Sequence, residues 1–262
     1  MTKPRFHVLS DGRRIAYRLL AGTGPTLVFL PGYMSDMAGS KATALQAWAQ
    51  ERGRACLLLD YSGCGKSSGD FADGTLTRWR DEVLALIAAL ALGPIVLVGS
   101  SMGGWLMLLV ALALAPGRCV GLVGIAAAPD FTAWGYPDAL KAKLAAGNPV
   151  FADNPYDPEP TPTHPGLWRD GQAQLLLGEP IALDCPVRLI HGQADADVPW
   201  QTALRLAEAL RSDDVQVMLI KDGDHRLSRA PDLAVLLNVV AALPEHAQIK
   251  QAPIKQAPIK QD

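Results

Sequence analysis

The stretch "IVLVGSSMGGWLMLLVALALA", residues 95–115, decides the fold. Ile95–Val98 form a continuous apolar run, the pattern of a strand buried on both faces. Trp105–Ala115 form an apolar run that reads as a buried helix. Between them, G-x-S-x-G is satisfied by Ser101 alone, flanked by Gly99 and Gly103. Ser100 would need glycine where Val98 and Met102 stand. Such a strand–turn–helix junction puts the serine on a sharp, strained bend with its hydroxyl exposed. Side chains two positions to either side would meet the adjoining strand and helix, hence glycine at both. The helix start also favours negative charge developing nearby.

Working outward, further apolar runs end in turn residues at 26–32, 55–60, 120–126, 186–192 and 215–221. Helix-type segments lie near 41–52, 76–92, 102–115, 200–211 and 231–242. This alternation predicts an α/β fold with a mostly parallel sheet covered on both faces. Residues 5–9 and 14–20 suit an antiparallel entry at its edge, turned by Ser10-Asp11-Gly12. The core is expected over 1–130 and 184–246.

Residues 131–183 break the rhythm with eight prolines and several aromatics. A structureless loop of that length is unusual, so short helices are expected at 138–146 and near 168–177, with extended pieces between. Leaving the C-terminal end of a strand, the insertion is a candidate cap or lid over the face where α/β ligands bind. The tail 247–262 repeats I-K-Q-A-P, which forbids both a long helix and a core, and disorder is expected there.

A serine hydroxyl needs a base. Of the five histidines, His7 precedes the serine, His164 sits in the insertion, His246 adjoins the tail, and His191 precedes the candidate acid. His225, in "DGDHR" just after the run 215–221, is the expected base. The acid that orients it is expected at Asp195 in "HGQADADVP", with Asp197 and Asp130 as alternatives. Two backbone N–H groups are expected to hold the oxyanion, those of Met102 and of Tyr33 in "FLPGYMS". Gly65-Lys66-Ser67 imitates the end of a phosphate-binding loop, but Asp60 stands where that pattern needs its first glycine. A turn tied by Asp60 and Ser67 is the better account.

Composition narrows the partners. The 262 residues are 49% hydrophobic with a formal net charge of −2, enough for a sizeable core and without a basic stripe for nucleic acid. Cys56, Cys64, Cys119 and Cys185 lack metal or redox spacing and read as buried thiols of a reducing compartment. No apolar run is long enough to cross a bilayer, so no stable membrane insertion is expected. The segment Met1–Arg14 has no apolar core of a secretory signal, so a cytoplasmic location is expected.

Taken together, "LPGY", "DYSGCGKSSG", "VGSSMGG", "HGQADADVP" and "DH" resemble the α/β-hydrolase superfamily, in family order from residue 26 to 242. Longer segments such as "PGYMSDMAGSKA", "TLTRWRDEV" and "CPVRLIHGQADADVPW" are similar to the abhydrolase-domain acyl-protein thioesterases, or depalmitoylases, which also hydrolyse acyl-glucuronides. The resemblance implies a serine esterase or thioesterase with Ser101, Asp195 and His225 as triad, no metal and no cofactor. It implies small-molecule or acylated-protein esters or thioesters as substrates. Carbon–carbon hydrolysis, acyl transfer and non-catalytic ligand binding are the rivals that the same scaffold permits. Pro31-Gly32 departs from the His-Gly that many members carry before the oxyanion residue.

Overall fold

The computed structural model describes residues 3–154 and 158–243; the repeat tail and His246 lie outside the described residues. The chain enters by β1 (Arg5–Val8) and β2 (Arg14–Leu20), an antiparallel pair, and continues through β3 (Thr23–Leu30), α1 (Ser40–Glu51) and β4 (Arg54–Leu59). Then come α2 (Leu76–Ala89), β5 (Ile95–Ser100), α3 (Met102–Ala113) and β6 (Cys119–Ile125). The insertion holds α4 (Phe131–Trp134), α5 (Asp138–Ala145), a hairpin of β7 (Val150–Ala152) and β8 (Thr161–Thr163), and α6 (Pro165–Gln172). β9 (Val187–Gly192), α7 (Gln201–Ala209), β10 (Val215–Ile220) and α8 (Ala230–Ala241) complete the core.

Eight strands form one sheet in the order β1-β2-β4-β3-β5-β6-β9-β10, antiparallel only where β2 meets β1 and β4. Alternation along the strands divides the core in two. Val28, Leu30, Leu57, Leu59 and Leu97 face α2, α3 and α7, with Trp79 and Trp105 fully buried among them. Leu27, Phe29, Cys56, Leu58 and Val98 face α1 and α8, against Leu45, Trp48 and Leu236. Both faces are therefore apolar, as a parallel sheet between helix layers requires. Each fully buried leucine contributes about 1.5–3 kcal/mol of transfer free energy.

Strand order reverses around β3, which lies between β4 and β5. The loops after β3 and β5 thus diverge at a topological switch point, where open α/β sheets leave a crevice. Gly32 and Tyr33 follow β3, Ser101 follows β5, Asp195 follows β9 and His225 follows β10. All five sit at the same edge of the sheet.

The insertion departs from expectation in detail. α6 starts at Pro165, in the first turn where a missing N–H costs nothing. The β7–β8 hairpin has no sequence signal, because Pro162 argues against a strand; it is tolerated in an isolated two-stranded sheet. Hydrogen bonds fasten the insertion to the core. Asp130 is buried and left-handed, at φ 60°, and its carboxylate accepts from the N–H groups of Leu176 and Leu177, both at 2.8 Å. Asp170 accepts from the Thr77 N–H and hydroxyl at 2.9 and 2.6 Å. The Trp105 indole donates to the Gln174 carbonyl at 3.1 Å, and the Tyr33 hydroxyl to the Pro162 carbonyl at 2.7 Å.

The phosphate-loop imitation is a tied turn. Asp60 accepts from the Met37 and Lys66 N–H groups at 2.7 and 2.8 Å. Ser67 donates to the Asp60 carbonyl at 2.7 Å and accepts from the Ala16 N–H at 2.8 Å. Burial pushes the thiols of Cys56 and Cys64 up to about 12. Cys119, at the start of β6, and Cys185, two residues before β9, are only half-buried, which corrects the expectation of four buried thiols.

Candidate active site

Ser101 terminates β5 and caps α3 with φ 55° and ψ −121°. Its N–H donates to the Ile125 carbonyl at 2.9 Å, and its carbonyl accepts from Gly104 and Ala128. The bend is therefore held from both sides. A Cβ on Gly99 would strike the backbone of Gly103, and one on Gly103 would strike the carbonyls of Leu30 and Pro31. Close packing of strand against helix, anticipated from the sequence, is what demands both glycines.

The imidazole arrives from 124 residues downstream: His225 Nε2 lies 3.0 Å from Ser101 Oγ. Its Nδ1 lies 2.8 Å from Asp195 Oδ2. The other carboxylate oxygen of Asp195 accepts from the N–H groups of Asp197 and Val198 at 2.9 and 2.8 Å. Burial opposes ionisation of Asp195. The hydrogen bonds from His191 and His225, the His225 charge and the Val198 N–H outweigh it, holding the carboxyl well below the usual carboxylate range. An ionised acid at Nδ1 fixes the ring so that Nε2 is free to take the serine proton.

The rejected candidates have other duties. Asp130 binds the backbone of the insertion. His164 caps α6 and packs edge-on against Phe71. The Asp197 carboxylate is exposed beside the pair, with ligand-type atoms of Asp195, Asp197 and His225 all within 4.8 Å of one another. Both oxygens of Asp195 are already occupied by hydrogen bonds, so the internal relay accounts for that grouping.

The N–H groups of Tyr33 and Met102 donate to no acceptor among the described residues. Both residues line a cleft of about 610 Å³ that also contains Ser101 and His225. Phe131, Trp134 and Met34 are among its apolar lining residues, and Ser40, Lys41 and Asp153 among its polar ones. Burial, then the nearby Arg226 charge, lowers Lys41 to about 8. Tyr33 stacks edge-on against Phe71 at 5.0 Å, so one residue anchors the aromatic cluster, the hairpin and the loop beside the serine.

The alpha/beta hydrolase family model matches residues 27–247. This chain belongs to the alpha/beta hydrolase family. Within that family it is 38% identical over 234 residues to the human mitochondrial palmitoyl-protein thioesterase ABHD10, covering 88% of this chain and 76% of the relative. The mouse ABHD10 is 39% identical over 232 residues, covering 87% and 78% of the two chains. The mouse protein's solved structure superposes with a TM-score of 0.85 over 92% of this hydrolase and 97% of its own chain, at 36% identity. A crystal structure from Agrobacterium vitis S4 gives the same TM-score at 38% identity, covering 92% and 99%.

This alpha/beta hydrolase is accordingly an enzyme of the ester- and thioester-hydrolysing kind. The expectation of a cytoplasmic location finds no support, since the human and mouse relatives are named as mitochondrial. Among the described residues no helix is long and apolar enough to cross a membrane. Two structural contributors escaped the sequence reading. Asp130, an alternative acid by sequence, fastens the insertion instead. His191 was set aside as a base, although its position four residues before Asp195, at a strand end, places it against that carboxylate.

Proposed function

We propose that this hydrolase cleaves acyl esters and thioesters through an acyl-serine intermediate, with Ser101, His225 and Asp195 as its triad. Ser101 Oγ attacks the carbonyl carbon while His225 Nε2 takes its proton. Asp195 keeps the proton of the neutral imidazole on Nδ1 and stabilises the imidazolium that forms. The N–H groups of Met102 and Tyr33 receive the charge that develops on the carbonyl oxygen, where preorganised donors are worth most. His225 then returns the proton to the leaving alkoxide or thiolate, and water repeats the sequence on the acyl-enzyme. The observation that carries the reading is the unbroken hydrogen-bonded line from Ser101 Oγ through His225 to Asp195, at 3.0 and 2.8 Å.

The acyl chain is assigned to the apolar lining of Phe131, Trp134 and Met34, and the leaving group to the polar lining near Lys41. The palmitoyl-protein thioesterase names of the relatives support acylated proteins, alongside small acyl esters, as substrates. The test pairs a fluorophosphonate probe with a hydrolysis series of oxygen and sulfur esters of increasing acyl length. Wild type is expected to be labelled at Ser101 and to turn over the series, and Ser101→Ala to do neither. Labelling that persists in Ser101→Ala overturns the reading. Cleavage of a vinylogous diketone in preference to every ester would assign the scaffold to carbon–carbon hydrolysis instead.

A further inference from the structure

One buried titratable side chain beside this machinery takes no part in its proton transfers. His191, near the end of β9, is fully buried. Its Nε2 lies 3.0 Å from the Val198 carbonyl and 3.1 Å from Asp195 Oδ2. A carbonyl oxygen only accepts, so Nε2 must carry a proton. That proton serves the Val198 carbonyl, and the same nitrogen lies 3.1 Å from the carboxylate oxygen that receives His225 Nδ1. The Nδ1 atom of His191 is buried without a partner among the described residues. Its hydrogen bonding is thus concentrated on the Asp195 side.

Resting on the triad reading above, we propose that His191 is a positioning residue for Asp195: its Nε2–H holds Oδ2 in line with His225 Nδ1 and, through the Val198 carbonyl, fixes the loop that carries the acid. The donor count explains why such a residue is needed. The Asp195 side chain is fully out of solvent, so its lone pairs must be satisfied internally. Two backbone N–H groups serve Oδ1, from Asp197 and Val198. Among the described residues Oδ2 meets only the two histidines; His225 keeps its Nδ1 proton but gains and loses charge at Nε2 in each turnover, whereas His191 takes no part in the proton transfers. Without it the carboxylate can rotate toward its backbone donors and lose the line to His225.

Removing the donor also has an electrostatic sign. Charge on Oδ2 becomes more localised, which favours the imidazolium form of His225, so the base must shed its proton at higher pH. Ser101 from the elbow and the Asp197 carboxylate from the acid's own loop face this pair; Asp224 and Arg226 flank His225 in sequence, and Lys41 of α1 reaches the Arg226 carbonyl. None of them changes in the variants below.

The experiment compares full-length wild type, His191→Leu, His191→Gln and Ser101→Ala with p-nitrophenyl octanoate from pH 5 to 9. Melting curves and fluorophosphonate titration of active sites accompany the rates. His191→Leu is expected to lower kcat per labelled site by about 10–100-fold, with KM little changed, the scale seen when an outer partner of a functional side chain is lost. The acid limb of its kcat/KM profile is expected to move to higher pH. His191→Gln, whose side-chain amide can donate from a similar place, is expected to recover most of both. A Leu variant with wild-type kcat per site and an unmoved acid limb overturns the proposal, as does a Gln variant no better than Leu. Should the Leu variant not fold, nitrogen-15 spectra of wild type decide: a ring proton on Nε2 of His191 supports the proposal, and one on Nδ1 alone overturns it. Undiminished activity in Ser101→Ala would instead sink the triad reading itself, a distinct result.

Discussion

Replacing Ser101 by glycine, and separately by alanine, isolates the strain stored at the elbow. Both changes delete the hydroxyl and its 3.0 Å contact with His225, so that loss cancels between them. Alanine keeps a Cβ at φ 55° and ψ −121°, outside the ordinary left-handed region. Holding a non-glycine residue in such a region costs on the order of 1–3 kcal/mol. Glycine removes that cost but adds about 0.4–1 kcal/mol of unfolded-state entropy. The difference leaves Ser101→Gly more stable than Ser101→Ala by about 1 kcal/mol, or roughly 2–4 °C in melting temperature for a chain of this size. Differential scanning calorimetry on the two proteins reads the difference directly. An alanine variant that melts at the same temperature as the glycine variant, or higher, would show that the elbow is unstrained.

Two other perturbations probe the surroundings. Gly103→Ala places a Cβ against the Leu30 and Pro31 carbonyls, and overpacking against backbone costs about 1–3 kcal/mol. Its melting temperature and esterase rate should both fall, whereas Gly93→Ala, with open space around it, should change neither. Asp195 has its carboxyl held below the usual range, while the unfolded chain protonates near about 3.9. As pH falls below about 4, the unfolded state takes up its proton first, so stability that is complete at neutral pH drains until the folded carboxyl also protonates. Asp195→Asn should therefore flatten the acid limb of stability measured by urea titration, and should lower kcat on the order of 10⁴-fold at neutral pH. Acid limbs that superimpose would contradict the assignment of the depressed carboxyl.

Much of this was legible in the chain because the decisive signals are local. Short continuous apolar runs located the parallel strands to within a few residues, with Ile95–Val98 falling inside β5. Gly99 and Gly103 announced the elbow because tight backbone approach leaves few other choices. Chain order then pointed to Asp195 and His225, since both follow strand ends on one edge of the sheet. What stayed hidden depends on contacts distant in sequence. Asp130 resembles a candidate acid until Leu176 and Leu177 are seen to occupy it, 46 and 47 residues away. Pro162 conceals its strand because proline discredits the pattern, and only pairing with Val150–Ala152 reveals the hairpin. His191 gave no hint of its partner, because a buried histidine at a strand end looks like any core residue until its ring direction is known.

The bonds from Asp130, Asp170, Gln174 and Pro162 have a bearing on selectivity. They rivet the segment beside Ser101 to the core at separate points: the loop after β6, helices α2 and α3, and the turn at Tyr33. Such a roof does not swing on a single hinge. Discrimination among acyl groups then falls to the standing shape of the cleft, and widening it would call for altering the walls, with Phe131 and Trp134 the places to begin.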